Sequence, residues 1–278
     1  MNANRFGNLE VISRSPAGLP ASTTPLLFIH GAYTGAWCWE EHFLEYFAAA
    51  GYASYALSLS GHGASRRRGP LDSFSIDDYV CDVAEVVAKL PGTPVLIGHS
   101  MGGMVVQKYL ERADVPAAVL LCSVPPQGLM GSAIGLMFSK PNLINDLNRI
   151  LNGGHPDPDG LREALFHQPI GIETLMRYYR KCQPESHRAI WDMTMFNLPQ
   201  LAHMHRPPML IMGAEHDHLI PPAQVGMTAL TYGEPAHIMP GMGHGVMLEQ
   251  DWLKVAEHIA AWLSTRSEER RVGKECRL

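Results

Sequence analysis

The chain has 278 residues, 46% of them hydrophobic, and a net charge of −5. That length and apolar fraction suit one large globular domain, or one domain carrying an insertion. The acidic balance gives no electrostatic case for nucleic acid, and no apolar run reaches the length of a membrane span. Residues 1–7 contain no apolar core of a signal peptide. Five cysteines (Cys38, Cys81, Cys122, Cys182 and Cys276) are scattered without a C-x-x-C pair, which suits reduced thiols in the cytoplasm.

Taken in order, residues 9–13 read as an edge strand and 15–24 as a loop. Residues 25–30 are apolar up to the final His30 and read as a strand ending in Gly31-Ala32-Tyr33-Thr34-Gly35-Ala36-Trp37. A helix over 39–50 closes at Gly51, and a strand over 52–59 breaks at Gly61-His62-Gly63. Between 75 and 90, Ile76, Tyr79, Val80, Val83, Val86, Val87 and Leu90 repeat at helical spacing, with Ser73 or Ser75 as cap. A short strand over 95–97 stops at Gly98-His99-Ser100-Met101-Gly102, a helix follows over 104–110, and 116–123 is a further strand.

This alternation implies a mostly parallel central sheet flanked by helices, the α/β class. Between residues 125 and 201 the alternation stops. Segments 143–151, 160–167, 172–180 and 186–195 look helical, with a loop over 152–158, and together read as an α-helical cap. The alternation resumes with 208–212, a helix over 222–230, a strand over 236–239 and a helix over 251–263. The expected division is a core of 1–124 and 201–265 with a cap of 125–200. Residues 266–278 are polar and without periodicity. Their stretch 266–276 matches one reading frame of a common sequencing-library adaptor, so 266–278 is read as a non-native tail.

The chemistry concentrates where strands end. Strand, Gly-x-Ser-x-Gly, helix is the context of a nucleophile elbow, with Ser100 as nucleophile and glycines at 98 and 102 for steric room. A serine hydroxyl needs a base, and the base needs a carboxylate to fix its tautomer. His244, in Pro240-Gly-Met-Gly-His-Gly245, is the candidate base. Asp217 is the candidate acid, with Glu215 two residues away as its rival. The order Ser100, Asp217, His244 is the order in which hydrolases of this type carry their triad. Backbone N–H groups of Ala32 and Met101 are the expected oxyanion donors. His30 is expected to pin the loop that follows it. Tyr33, Trp37, His99, Met130, Met137, Phe138, Met193 and Met195 are candidates for the substrate pocket, since methionine repacks readily around ligands. The pairs His203/His205 and His216/His218 have the look of metal ligands, but Asp217 already has a role; no metal and no cofactor are expected. Arg66-Arg67-Arg68 reads as a solvated loop.

Elbow, His-Gly loop and terminal Asp and His together resemble the α/β-hydrolase superfamily across residues 9–264. His30-Gly-Ala-Tyr-Thr-Gly-Ala-Trp-Cys-Trp39 resembles the corresponding loop of the plant methylesterase and hydroxynitrile lyase group. Leu165-Phe166 and Pro184-Glu-Ser-His-Arg-Ala189 look more like bacterial lysophospholipase-like carboxylesterases. The resemblance implies an α/β-hydrolase fold with the cap inserted after the sixth strand, Ser100, Asp217 and His244 as triad, and Ala32 and Met101 as oxyanion donors. Lyases of that group carry Thr where Gly31 stands and Lys where Gly245 stands, so both departures favour an esterase. Relatives often show Asp-Leu-Pro-Gly-His-Gly where this chain has Ser58-Leu-Ser-Gly-His-Gly63, a change expected to loosen that turn. The expected activity is hydrolysis of a small carboxylic ester by Ser-His-Asp chemistry, with water as second substrate. A lactonase or hydroxynitrile lyase-like enzyme on the same triad is the alternative, and a ligand receptor without turnover is the alternative of another class. A homodimer stays open.

Overall fold

The computed structural model describes residues 3–18, 20–66, 69–140, 145, 149 and 158–275. Most of the expected helix over 143–151, nearly all of the loop over 152–158, Arg67, Arg68 and Cys276 lie outside the described residues. Eight strands form one sheet in the order β1-β2-β4-β3-β5-β6-β7-β8. They are β1 (Ala3–Phe6), β2 (Leu9–Arg14), β3 (Leu26–Ile29), β4 (Ser54–Ser58), β5 (Val95–His99), β6 (Ala118–Leu121), β7 (Met209–Ala214) and β8 (Ala236–Met239). Both pairings of β2 are antiparallel and every other pairing is parallel.

The apolar strands are buried on both faces, and their residues alternate between two cores. Leu26, Phe28, Val95, Ile97, Val119, Leu121, Leu210 and Met212 face one cluster, which also holds Trp39, Phe43 and Phe47 and, from the last helix, Val255 and Ile259. Leu27, Ile29, Leu96, Ala118, Leu120 and Ile211 face the other, with Tyr79, Val83, Met104, Val105 and Val225. Such two-sided burial is what a parallel sheet wrapped by crossover helices demands. Truncating a fully buried core residue such as Phe28 to Ala would cost about 3–5 kcal/mol.

The helices of the two layers are α1 (Trp37–Glu40), α2 (Phe43–Ala49), α3 (Ile76–Val87) and α4 (Met101–Tyr109). The insertion between β6 and β7 contributes α5 (Met130–Ser139), α6 (Pro158–Leu165), α7 (Ile172–Lys181), α8 (His187–Trp191) and a π-turn over Asp192–Phe196. The chain ends with α9 (Pro222–Tyr232) and α10 (Trp252–Glu275). Among the described residues no helix is long and apolar enough to cross a membrane.

Several expectations need correction. The strand at residue 9 is not an edge: β1 pairs with it from Ala3↔Ile12 to Phe6↔Leu9. Residues 39–50 are not one helix. His42 leaves the helical backbone at φ −143° and its ring stacks on Trp252 at 4.6 Å, so α1 and α2 are separate. Helix α5 was not anticipated, and α10 runs on through residues 266–275, which had been set aside as aperiodic. Ser75 does cap α3, in a capping box with Asp78. The turn at 58–63 is not loosened. Ser58 Oγ accepts from Ala36 N–H at 2.9 Å and donates to Glu10 Oε2 at 2.7 Å. Ser60 donates to Asp82 through both its N–H and its hydroxyl, at 2.7 and 2.9 Å.

Candidate active site

All strands from β3 to β8 run parallel, so the loops that leave them emerge at one edge of the sheet. Strand β3 continues to β4 on one side while β5 lies on its other side, which makes the crevice between β3 and β5 the topological switch point. The loop after β3 and the elbow after β5 flank that crevice.

The elbow is sterically defined. Ser100 sits at φ 52°, ψ −118°, a conformation costing a serine about 1–3 kcal/mol. A Cβ on Gly98 would run into the backbone of Gly102 and Gly103, and one on Gly102 into the carbonyls of Ile29 and His30. The backbone around Ser100 is tied on both sides: its N–H donates to Leu121 O at 3.1 Å, and its carbonyl accepts from Val124 N–H at 3.1 Å. Buried Gln107 of α4 adds a clamp, donating to Ser123 Oγ and Val124 O at 3.0 and 2.8 Å. Met101, the first residue of α4, has an N–H with no intrahelical acceptor.

The loop after β3 comes close to this serine. A Cβ on Gly31 would lie 2.9 Å from His99 Nδ1 and 3.0 Å from Ser100 Cβ, so no side chain fits there. His30 Nδ1–H donates to Gly31 O at 2.7 Å while its Nε2 accepts from Leu59 N–H at 3.0 Å. Both ring nitrogens are thereby used, and burial, aided by nearby His62, lowers the His30 pKa to about 3. This is the pinning role expected of His30. Half-buried Ala32 lies between Gly31 and Tyr33, and Tyr33 adopts φ 66°.

The candidate acid and base meet directly. His244 Nδ1–H donates to Asp217 Oδ2 at 2.7 Å, with both side chains buried. Asp217 Oδ1 accepts from the N–H groups of Leu219 and Ile220, each at 2.8 Å, which fixes the carboxylate plane. The arrangement puts the imidazole proton on Nδ1 and leaves the Nε2 lone pair free to act as a base. Glu215, the rival acid, is engaged elsewhere: its Oε2 accepts from Gly241 N–H at 2.8 Å.

The supporting residues were less visible in the sequence. His99, expected in the pocket wall, is buried below it, and its Nε2–H donates to His244 O at 2.9 Å. Burial, together with the neighbouring His244, holds the His99 pKa well below the ordinary histidine value. Cys122 is also buried, at φ 46°, and burial followed by the nearby Asp217 charge pushes its thiol pKa up. Glu249 accepts from Gly243 N–H and His167 N–H at 2.7 Å each and from Gln168 N–H at 3.1 Å, tying the His244 loop to the insertion. Nothing in the sequence around residue 249 signalled this.

The expected pocket residues differ in burial. Trp37 is half-buried, with its ring 5.7 Å from that of Tyr178 and Lys181 Nζ 5.2 Å above it. Met193 is packed into the core beside α3 and α9, whereas Met130, Met137 and Met195 are exposed. Phe138 lies near the end of α5. The histidine pairs are not brought together as ligands: the ring of His216 stacks on His167 at 3.6 Å, and His203 and His205 are exposed. Among the described residues, three donors lie within 4.8 Å of one another only at His99, Cys122 and His244, where both imidazoles already hold the bonds given above.

A doubly wound sheet with a serine elbow at its switch point defines the α/β-hydrolase class. The profile of the alpha/beta hydrolase family matches residues 26–258, and the chain belongs to that family. It is 28% identical to the "Non-heme haloperoxidase" of Rhodococcus erythropolis, over 81% of this chain and 87% of that one. It is 31% identical to "Probable esterase PIR7A" of Oryza sativa, over 57% of this chain and 61% of that one. The esterase EaEST of Exiguobacterium antarcticum superposes with a TM-score of 0.70 at 19% identity, covering 91% of this chain and 94% of that one, which is a likeness of fold.

Proposed function

We propose that the protein is a serine hydrolase of small carboxylic esters. The observation that carries this reading is the buried His244–Asp217 pair at 2.7 Å, on the same sheet edge as a serine strained into the elbow conformation. In the proposed reaction Ser100 Oγ attacks the acyl carbon and passes its proton to His244 Nε2. The carbonyl π-electrons move to oxygen, where the N–H groups of Ala32 and Met101 receive the charge. Collapse expels the alcohol, which takes the proton from His244 and leaves an acyl-Ser100 ester. A water molecule deprotonated by His244 then releases the acid and returns the proton to Ser100. Asp217 holds the imidazole tautomer and stabilises the cation formed in each step. Residues 125–200 act as a cap that shapes the acyl or alcohol pocket.

Two features weigh against the lyase alternative. A threonine at Gly31 would have to displace His99 or Ser100, and Gly245 is closed in by Leu165, whose carbonyl accepts the Gly245 N–H at 2.7 Å. The relative named a probable esterase supports ester hydrolysis. The four described cysteines are free thiols, which suits the cytoplasm. The test is labelling by a fluorophosphonate probe combined with turnover of p-nitrophenyl esters of graded chain length. Covalent labelling at Ser100 with sustained turnover is expected. A single slow turnover that leaves modified protein would establish the receptor reading instead.

A further inference from the structure

The insertion reaches the loop after β3 through a short strap, residues 183–186, between α7 and α8. Gln183 N–H donates to Tyr33 O at 3.0 Å. Its side chain bridges the turn beside that loop, accepting from Gly63 N–H at 2.9 Å and donating to Gly61 O at 2.7 Å. Two residues on, Glu185 is fully buried. Its Oε1 accepts from Tyr79 OH at 2.6 Å and Ser186 N–H at 2.8 Å, and its Oε2 lies 3.0 Å from Nε2 of equally buried His62. The His62 ring is 5.1 Å from that of His30, which donates to Gly31 O. A carboxylate this deep is tolerated only when paired and hydrogen-bonded. Burial pushes the Glu185 pKa up, and the His62 charge with the Tyr79 and Ser186 bonds outweighs it, so the group stays below its ordinary value.

We propose that Gln183 and Glu185 are positioning residues for the oxyanion loop, so that the insertion helps to build the hydrolytic centre besides covering it. The inference rests on the esterase reading above. Tyr33 holds a left-handed backbone that a tyrosine adopts only under constraint, and Gln183 bonds the carbonyl of that residue. Ala32, whose N–H is the expected donor, is the adjacent residue. Glu185 anchors the strap to the core through His62 and Tyr79, which keeps Gln183 in register. Releasing the strap lets the Tyr33 peptide relax and moves Ala32 N–H off the developing oxyanion. An oxyanion donor acts on the transition state more than on the bound ester, so the loss falls on kcat and not on KM.

The experiment measures kcat and KM separately on p-nitrophenyl butyrate for the full chain, Gln183→Ala and Glu185→Gln, with circular dichroism to verify folding. A fall in kcat of about 10- to 100-fold in both variants, with KM within about threefold, is the expected result. If Glu185→Gln does not fold, Gln183→Ala decides: it keeps the main-chain N–H that reaches Tyr33 O and removes the side-chain bonds to Gly61 and Gly63 that hold that N–H in place. A folded Gln183→Ala with kcat within about twofold of the parent overturns the inference, as does a rise in KM at constant kcat. A folded parent chain without any turnover overturns the esterase reading and this inference with it.

Discussion

The sheet edge and the β6–β7 insertion are built on different physical terms. At the sheet edge Ser100 leaves a strand buried on both faces, whose ladder bonds fix the backbone up to the residue before it, and Asp217 follows the equally buried β7. Ser100 itself still bonds Leu121 of the neighbouring strand. The described residues of the insertion form no ladder. Among them Ile134, Met137, Ile172, Trp191 and Phe196 are exposed, and the insertion is attached by a few buried residues such as Leu161, Phe166, Leu175 and Tyr178 and by single polar contacts. Asp192 accepts from Ile76 N–H at the start of α3, Arg177 pairs with Glu41, and Glu249 holds His167 and Gln168. The lesson is a division of labour. Hydrogen-bonded strands deliver positions accurate enough for bond-making, and the insertion supplies a surface that can change without unfolding the core.

That comparison can be broken most forcefully at its chemical end. Ser100→Ala should lower kcat by a factor of about 10⁴ to 10⁶ with an unchanged fold, because triad members act as a unit. Retention of more than about a tenth of the activity in a stopped-rate ester assay would move the nucleophile elsewhere. Asp217→Asn should cost about 10² to 10⁴ in kcat, since the amide cannot supply the charge that His244 needs. Glu215→Gln should cost less than about threefold, because exposed Glu215 accepts the Gly241 N–H and lies beside His216, away from His244. The reverse ranking in parallel kinetics would make Glu215 the acid.

These contrasts also explain what could be read in advance. Gly98, Ser100 and Gly102 were legible because their constraint is local: the colliding atoms belong to residues within a few positions or to the adjacent strand. Asp217 and His244 were legible through order and through their place after strands. Strand β1 was not, since Ala3-Asn4-Arg5-Phe6 has no apolar alternation and is a strand only through its pairing with β2. Gln183 and Glu185 were invisible because their partners lie about a hundred residues away in sequence, at Gly63 and Tyr79. The pocket methionines were named for the adaptability of their side chains, a property that says nothing about which face meets the substrate.

A mid-sized test falls on the boundary of the loop after β3. Gly31→Thr should reduce stability by about 1–3 kcal/mol and kcat by at least tenfold, as its Cβ has to displace His99 or Ser100. Equal thermal midpoints and rates would mean that the loop is far softer than its contacts imply. The sheet edge also carries a pH signature. His30 is held neutral in the fold, with its pKa lowered to about 3, whereas in the unfolded chain it titrates normally at 6.5. Its contribution to stability is therefore complete above pH 6.5 and declines as pH falls from there toward 3. Over that window, thermal melts should show a shallower decline for His30→Gln than for the parent, and equal slopes would contradict the assigned neutral state. The smallest effect belongs to the insertion: Phe196→Ala, at 70% exposure, should shift stability by no more than about 0.5 kcal/mol while altering the chain-length preference of the ester panel.

The Ser58–Glu10 contact bears on how this sequence could have changed over time. Ser58 Oγ stands 2.7 Å from Glu10 Oε2, and that same oxygen accepts the Ala64 N–H at 3.0 Å. Restoring the aspartate that relatives often carry at this position would place two carboxylates against each other in a partly buried spot, where only one ionises comfortably. Ser58→Asp alone should therefore lower stability. The two positions are coupled: Glu10→Gln should relieve the cost of Ser58→Asp, so the double variant should melt higher than Ser58→Asp alone.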